Sequence, residues 1–148
     1  MTVDEQVEMT DEQIDDFLSS RQVGVLALAH GGEPYAIPIT YHYDPEKRQF
    51  HFRMVYSAES SKRHFFGDEP RSHLVVYEEA PPRYRSVVVK GRPRALEDKD
   101  IDIEYVETFG EMMRPLFELW AETRTDLEIQ LYEIDPTDIS GRLIELEE

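Results

Sequence analysis

The sequence predicts a mainly β fold, in which six or seven antiparallel strands close into a small barrel flanked by a few helices. Three observations predict it. Short runs rich in Val, Ile, Tyr and Phe recur with the two-residue alternation of strands. Turn signals at Gly31-Gly32, Asp44-Pro45 and Pro81-Pro82 separate those runs. A sheet of that size hides its sticky edges best by closing on itself. At 148 residues the chain is long enough for a single core, and with no repeat, linker or low-complexity tract it reads as one domain over residues 1–148.

The elements follow in order. Thr10 and Gln13 form a capping box ahead of Ile14, Phe17 and Leu18, which lie on one helical face, so a short amphipathic helix is expected over 11–19. The period then changes to that of strands. Val23 to Leu28 reads as a buried strand, Gly31-Gly32 as a hairpin turn, and Tyr35 to Tyr43 as its partner. Asp44 to Lys47 makes a second turn before Gln49 to Val55. Lys62 to Phe66 has a helical look and Gly67 closes it. Ser72 to Glu78 and Ser86 to Leu96 are the next strands, divided by the two prolines. Residues 100–121 carry a helical period through Ile103, Val106, Phe109 and Met113, with Pro115 splitting them into two helices. Ile129 to Ile134 and Arg142 to Leu146 are late strands.

Charge excludes several classes of function. The chain carries 32 acidic against 16 basic residues, a formal net charge of -16, which repels nucleic-acid phosphates. Lysine occurs only at Lys47, Lys62, Lys90 and Lys99; heavy Asp/Glu with scarce Lys resembles the proteins of salt-accumulating halophiles. No segment approaches the roughly 20 apolar residues of a membrane span, and the acidic N-terminus lacks a signal peptide's pattern, so a cytoplasmic location is expected. With no cysteine, thiolate metal sites and cysteine nucleophiles are excluded. The five histidines sit on separate elements without the spacing of a helical metal site, and no metal is expected; His42 and His51, on adjacent strands, could approach each other. Ser19, Ser20, Ser57 and Ser60 have no visible histidine-plus-acid companions for nucleophilic hydrolysis.

Against that acidic background, one stretch gathers cations. Phe50 to Val55 runs as a strand, with Arg53 in it, into Ser60-Ser61-Lys62-Arg63. Hydroxyls and free amides at a helix start, with arginine and lysine converging on them, suit a phosphate. The competing reading is that Lys62 and Arg63 decorate a helix face while Arg53 pairs with a surface carboxylate.

The order of these features carries a resemblance. A short N-terminal helix, then VGVLALAHGGEPYAIPITYHYD, FHFRM, SSKRHFF and SVVVKGRPRAL, resembles the pyridoxamine 5'-phosphate oxidase-like split-barrel flavoproteins, mainly over residues 10–97. The resemblance implies a split barrel that binds FMN. Arg53, Met54 and Val55 would lie along the flavin, with the arginine toward the phosphate and the backbone toward the rings. Ser61 and Lys62 would clamp the phosphate, Ile39, Thr40 and Tyr41 would line the ring edge, and Ser86 would add a polar contact from the other subunit of a homodimer. Val87, Val89, Met113, Phe117 and Trp120 are more apolar surface than one small barrel readily hides, so some are expected in the two-fold interface.

The chain departs from the pyridoxamine phosphate oxidases proper. Their substrate-phosphate segment has no counterpart around Tyr105 to Glu111, and the tail Asp138 to Arg142 lacks their C-terminal tryptophan-and-arginine pattern. What remains is similar to the shorter general flavin reductases, including the nitroimidazole-reductase-like branch. The resemblance implies an oxidoreductase passing electrons from a reduced nicotinamide or deazaflavin to a small organic acceptor. A non-catalytic flavin- or haem-binding or sensing protein of the same fold is the alternative, and deazaflavin, FAD or haem could stand in place of FMN. The protein's part would be binding, orientation and electrostatics.

Overall fold

The computed structural model describes residues 2–56, 62–67, 69–97 and 128–147. The expected helices over 100–121 lie outside these residues, as does Ser61. Among the described residues are nine strands and two helices: β1 (Thr2–Glu8), α1 (Asp11–Ser20), β2 (Val23–His30), β3 (Glu33–Asp44), β4 (Gln49–Tyr56), α2 (Lys62–Phe66), β5 (Ser72–Ala80), β6 (Arg83–Gly91), β7 (Pro93–Ala95), β8 (Glu128–Ile134) and β9 (Asp138–Glu147). Each of the seven expected strands is present. The count rises to nine because Arg92 divides the run through Leu96 into β6 and β7, and because the acidic segment at the start also pairs as a strand.

Every ladder is antiparallel, in the order β1-β9-β6-β5-β2-β3-β4-β8-β7. That order dictates a curl. β6 is third and β7 ninth, yet one residue joins them. Six strand spacings in a flat sheet would cover about 29 Å, whereas two Cα steps reach at most about 7.6 Å. The sheet must therefore bend round until its far side meets β6. Gly91 marks the meeting point: a Cβ there would lie 2.6 Å from Cγ2 of Ile134 on β8. The Ser72 hydroxyl donates to Gly91 O within the β5–β6 ladder, and the Thr137 amide donates to Lys90 O at 2.8 Å, extending the β6–β9 ladder.

Alternation sorts the side chains. Leu26, Phe50, Phe52, Leu74, Val76 and Ile134 point into the curl and are almost wholly buried. α1 plugs one end. Its capping box forms as expected, with the Thr10 hydroxyl accepting from the Gln13 amide and the Gln13 side chain accepting from the Thr10 amide. Ile14, Phe17 and Leu18 are buried, and the Tyr43 hydroxyl donates to Asp15 at 2.6 Å. The β2–β3 hairpin turns through Gly31 and Gly32, both at positive φ, between the paired His30 and Glu33, as a two-residue turn of the primed type requires. α2 is a single short turn, too short to hold itself. Phe66 fixes it, 4% exposed and 4.9 Å from the ring of Tyr132.

The phase of β6 corrects one expectation. Val87 and Val89 point inward, 0% and 1% exposed, so neither is available to an interface. Their neighbours Ser86 and Val88 take the outer face. Met113, Phe117 and Trp120 lie outside the described residues.

Candidate functional site

The barrel opens between β3 and β4. Their ladder runs only from Asp44–Gln49 to Tyr41–Phe52. Beyond it β3 continues to pair with β2 as far as Glu33, while β4 continues with β8 as far as Tyr56. The peptide geometry accounts for the parting. The Tyr41 amide donates to Gln22 O, on the β2 side, so strand alternation turns the peptide groups of Thr40, Pro38 and Pro34 the other way, toward β4. Proline has no N–H to donate, and two prolines on that one edge cannot sustain a ladder. The same alternation, counted from the His42–His51 pair, turns the peptide groups of Arg53 and Val55 into the gap. Two edges carrying unpaired backbone donors and acceptors thus face each other across the split.

The sequence-picked residues distribute unevenly about this split. Arg53, Val55 and Thr40 have half-buried side chains on the outer face, with Thr40 and Arg53 next in line after the last paired rung. Met54 and Ile39 alternate inward, 4% and 5% exposed, and their peptide groups turn toward β8 and β2, away from the gap. Tyr41 also points inward; its hydroxyl donates to Leu18 O at 2.8 Å, and burial raises its pKa. Lys62 opens α2, beyond the end of β4. Ser86 lies on β6, off the two strands that border the split, with its side chain on the outer face.

Arg53 is the most telling residue of the group. Burial depresses its guanidinium pKa, the sign of a cation partly stripped of water. No carboxylate compensates: among the described residues Arg53 makes no ion pair and no side-chain hydrogen bond. By contrast Arg21 and Arg85 share Glu78 at 2.9 and 2.8 Å, and Arg94 holds Glu133 at 2.7 Å. In a chain with twice as many acids as bases, a half-buried arginine without a carboxylate is set up for an anion from outside. Donors along the split, a desolvated guanidinium and the start of α2 together fit a planar ring system carrying a phosphate.

One feature was not read from the sequence, and one expectation is met. Arg142 is the direct cross-strand partner of Ser86 on β9, exposed on the same outer face, and the pairing of the two strands was the missing information. His42 and His51 do face each other in register, and burial together with His42 lowers the pKa of His51 to about 4. Among the described residues no group of three His, Asp or Glu is placed to hold a metal ion. Nor is any described helix long and apolar enough to cross a membrane.

Comparison with known proteins agrees with this geometry. The family model described as pyridoxamine 5'-phosphate oxidase matches residues 10–143. No curated protein matches the chain. Among solved structures, an FAD-binding protein from Mesorhizobium loti is similar at 23% identity, covering 96% of this chain and 98% of that one, with a TM-score of 0.71. The FAD-binding protein from Mycobacterium smegmatis is 16% identical over 95% and 99% of the two chains, with a TM-score of 0.66. A Bacteroides thetaiotaomicron structure named for 5-nitroimidazole antibiotic resistance is 11% identical over 95% and 88%, with a TM-score of 0.65.

Proposed function

The chain belongs to the pyridoxamine 5'-phosphate oxidase family, and from that premise we propose that it binds a flavin in the split between β3 and β4 and works as a flavin-dependent oxidoreductase. The observation that carries the proposal is Arg53, half-buried, desolvated and without a carboxylate partner among the described residues. In this reading its guanidinium takes the flavin phosphate together with Lys62 and Ser61. The amides of Arg53, Val55 and Thr40 meet the polar edge of the ring system, and the side chain of Thr40 lies at the same edge. The flavin, when bound, supplies the redox chemistry: electrons from a reduced nicotinamide or deazaflavin to a small organic acceptor. The residues of this chain bind and orient it, so no separate acid or base is required. Two of the structural neighbours are described as FAD-binding, which supports a flavin.

The working unit of this proposal is a homodimer. Ser86 and Arg142 lie on β6 and β9, neither of which borders the split, and in this reading they complete it from a second copy. The outer face offers a seat for it. Pro38, Val25, Val75, Val88 and Ser140 form one register row across five strands without a charge, and Val23 and Tyr77 beside it are each 58% exposed. An uncharged row of this breadth on so acidic a protein suits a copy of itself.

The test is a titration of the purified protein with FMN at high salt, read as quenching of flavin fluorescence, followed by NAD(P)H oxidation. Replacing Lys62 with Ala should weaken FMN more than riboflavin, which lacks the phosphate. No quenching by FMN rejects the proposal, and bound flavin without turnover points to the non-catalytic alternative.

A further inference from the structure

His42 and His51 pair in register one rung in from the end of the ladder between β3 and β4. Both imidazoles are half-buried on the outer face, because Tyr41, Tyr43, Phe50 and Phe52 on either side of them point inward. Thr40 and Arg53, which border the split, are the next outer-face residues along the same two strands, about 7 Å away. The histidine pair thus stands at the closed end of the split. Such a pair is costly by itself. Like charges directly opposite each other weaken a ladder, and burial together with His42 holds the pKa of His51 down to about 4. Asp44 and Asp135 favour the charged imidazole and Lys47 opposes it, while Arg53 adds a further cation on β4. The carboxylates around the pair have other duties. Glu133, opposite His51 on β8, holds Arg94 of β7 at 2.7 Å. Asp44 accepts from the amides of Glu46 and Lys47, and Asp135 accepts from the Gln49 side chain at 2.6 Å. An anion seated against both rings would offset their repulsion and accept an N–H from each.

We propose that His42 and His51 bind an anionic group of the electron acceptor, so that the substrate of the flavin site is a small organic carboxylate. The inference rests on the flavin reading above. An acceptor lying against the ring system at the edge marked by Thr40 and Arg53 has these two imidazoles as its next outer-face neighbours on β3 and β4. In that reading Arg53 is engaged with the flavin phosphate, which leaves the histidines to meet a second anion. An imidazole takes up a proton when an anion settles against it, so binding strengthens as the pH falls. An uncharged acceptor of the same shape gains neither the proton nor the charge-assisted hydrogen bonds.

The experiment loads the full chain with FMN and titrates it with para-nitrobenzoate and, in parallel, with its uncharged methyl ester, reading the perturbation of the visible flavin band. The His42→Gln and His51→Gln chains are treated alike, and circular dichroism melts confirm that they fold. In the parent chain the carboxylate should bind on the order of tenfold more tightly than the ester, and that margin should widen from mildly alkaline to mildly acid solution. Each substitution should remove most of the margin while the constants for FMN and for the ester stay put. Equal affinity for carboxylate and ester in the parent chain overturns the inference and leaves the flavin site intact, and this comparison decides by itself if a variant does not fold. Absence of carboxylate binding, a margin indifferent to pH, or a margin that survives both substitutions overturns it equally. Failure of FMN to bind overturns the flavin reading and this inference with it.

Discussion

Tyr41 and Phe52 are the last cross-strand pair of the ladder between β3 and β4. One residue further, Thr40 and Arg53 stand on the same outer face with no ladder between them. A sheet that closed here would have spent the peptide groups of both strands on each other. By parting, it leaves them to a ligand, and the prolines at 34 and 38 keep the gap from zipping shut.

Arg53 should therefore matter to phosphate more than to rings. Arg53→Gln keeps a polar side chain and removes the charge; a lost hydrogen bond between charged groups is worth about 1.5–3 kcal/mol, or roughly 10- to 100-fold in affinity. FMN binding should fall by that much and riboflavin binding by far less. Fluorescence titration of both ligands decides it, since equal losses would place the guanidinium away from the phosphate.

The seam makes a separate prediction about stability. Gly91→Ala would drive a Cβ to 2.6 Å from Cγ2 of Ile134, whose side chain is 1% exposed and has no room to retreat. Overpacking of this kind costs about 1–3 kcal/mol. A urea midpoint unchanged by the substitution would show that the sheet does not close as tightly as Gly91 and Ile134 imply.

Much of this was legible in the sequence, and the failures have physical causes. Alternation and turn residues marked each expected strand, because a half-buried strand writes its period into the chain. β1 escaped since Thr2 to Glu8 is mostly polar; its strand character comes from pairing with β9, a partner about 140 residues away. The break at Arg92 escaped because Ser86 to Leu96 reads as one strand, and only the curl of the sheet divides it. Among the site residues, Arg53 could be named from its place beside a hydroxyl-rich loop. The inward phase of Met54, Ile39 and Tyr41 could have been read from alternation with Phe52 and Tyr43. Pro34 and Pro38 were visible too, but their meaning depends on which edge they face, and that needs the register with β2.

His51 predicts a loss of stability in acid. Burial, reinforced by His42 across the ladder, holds its pKa near 4 in the folded chain, below the ordinary value of 6.5. Its neutral form is thus favoured by the fold: the associated stability is present above pH 6.5 and drains away as the pH falls toward 4, by at most about 3 kcal/mol. His51→Gln should flatten the melting temperature across that window relative to the parent chain. Parallel pH profiles for the two proteins would exclude His51 as the source.

Salt should stabilise the protein if its acidic surface is an adaptation to a saline interior. With a net charge of -16, carboxylate repulsion opposes folding at low ionic strength, and it is screened as the Debye length shrinks from about 10 Å at 0.1 M to about 3 Å at 1 M. The melting temperature should climb from low to molar potassium chloride. A temperature indifferent to salt refutes the halophilic reading and leaves an acidic protein of ordinary habitat.

The proposed dimer ties the fold to the site most directly. Val75 is the centre of the uncharged row, flanked in register by Val25 on β2 and Val88 on β6, with its half-buried side chain on the outer face. Val75→Glu places a carboxylate there without touching the inward residues Leu74 and Val76, which remain buried in the core. A lone charge in an apolar interface is not tolerated, so the variant should be monomeric by light scattering while its circular dichroism stays that of the parent. If Ser86 and Arg142 complete the split of the opposite copy, flavin content must fall with the dimer. A monomeric Val75→Glu protein that still carries one flavin per chain would show that each split is complete by itself, and the shared site would have to be abandoned.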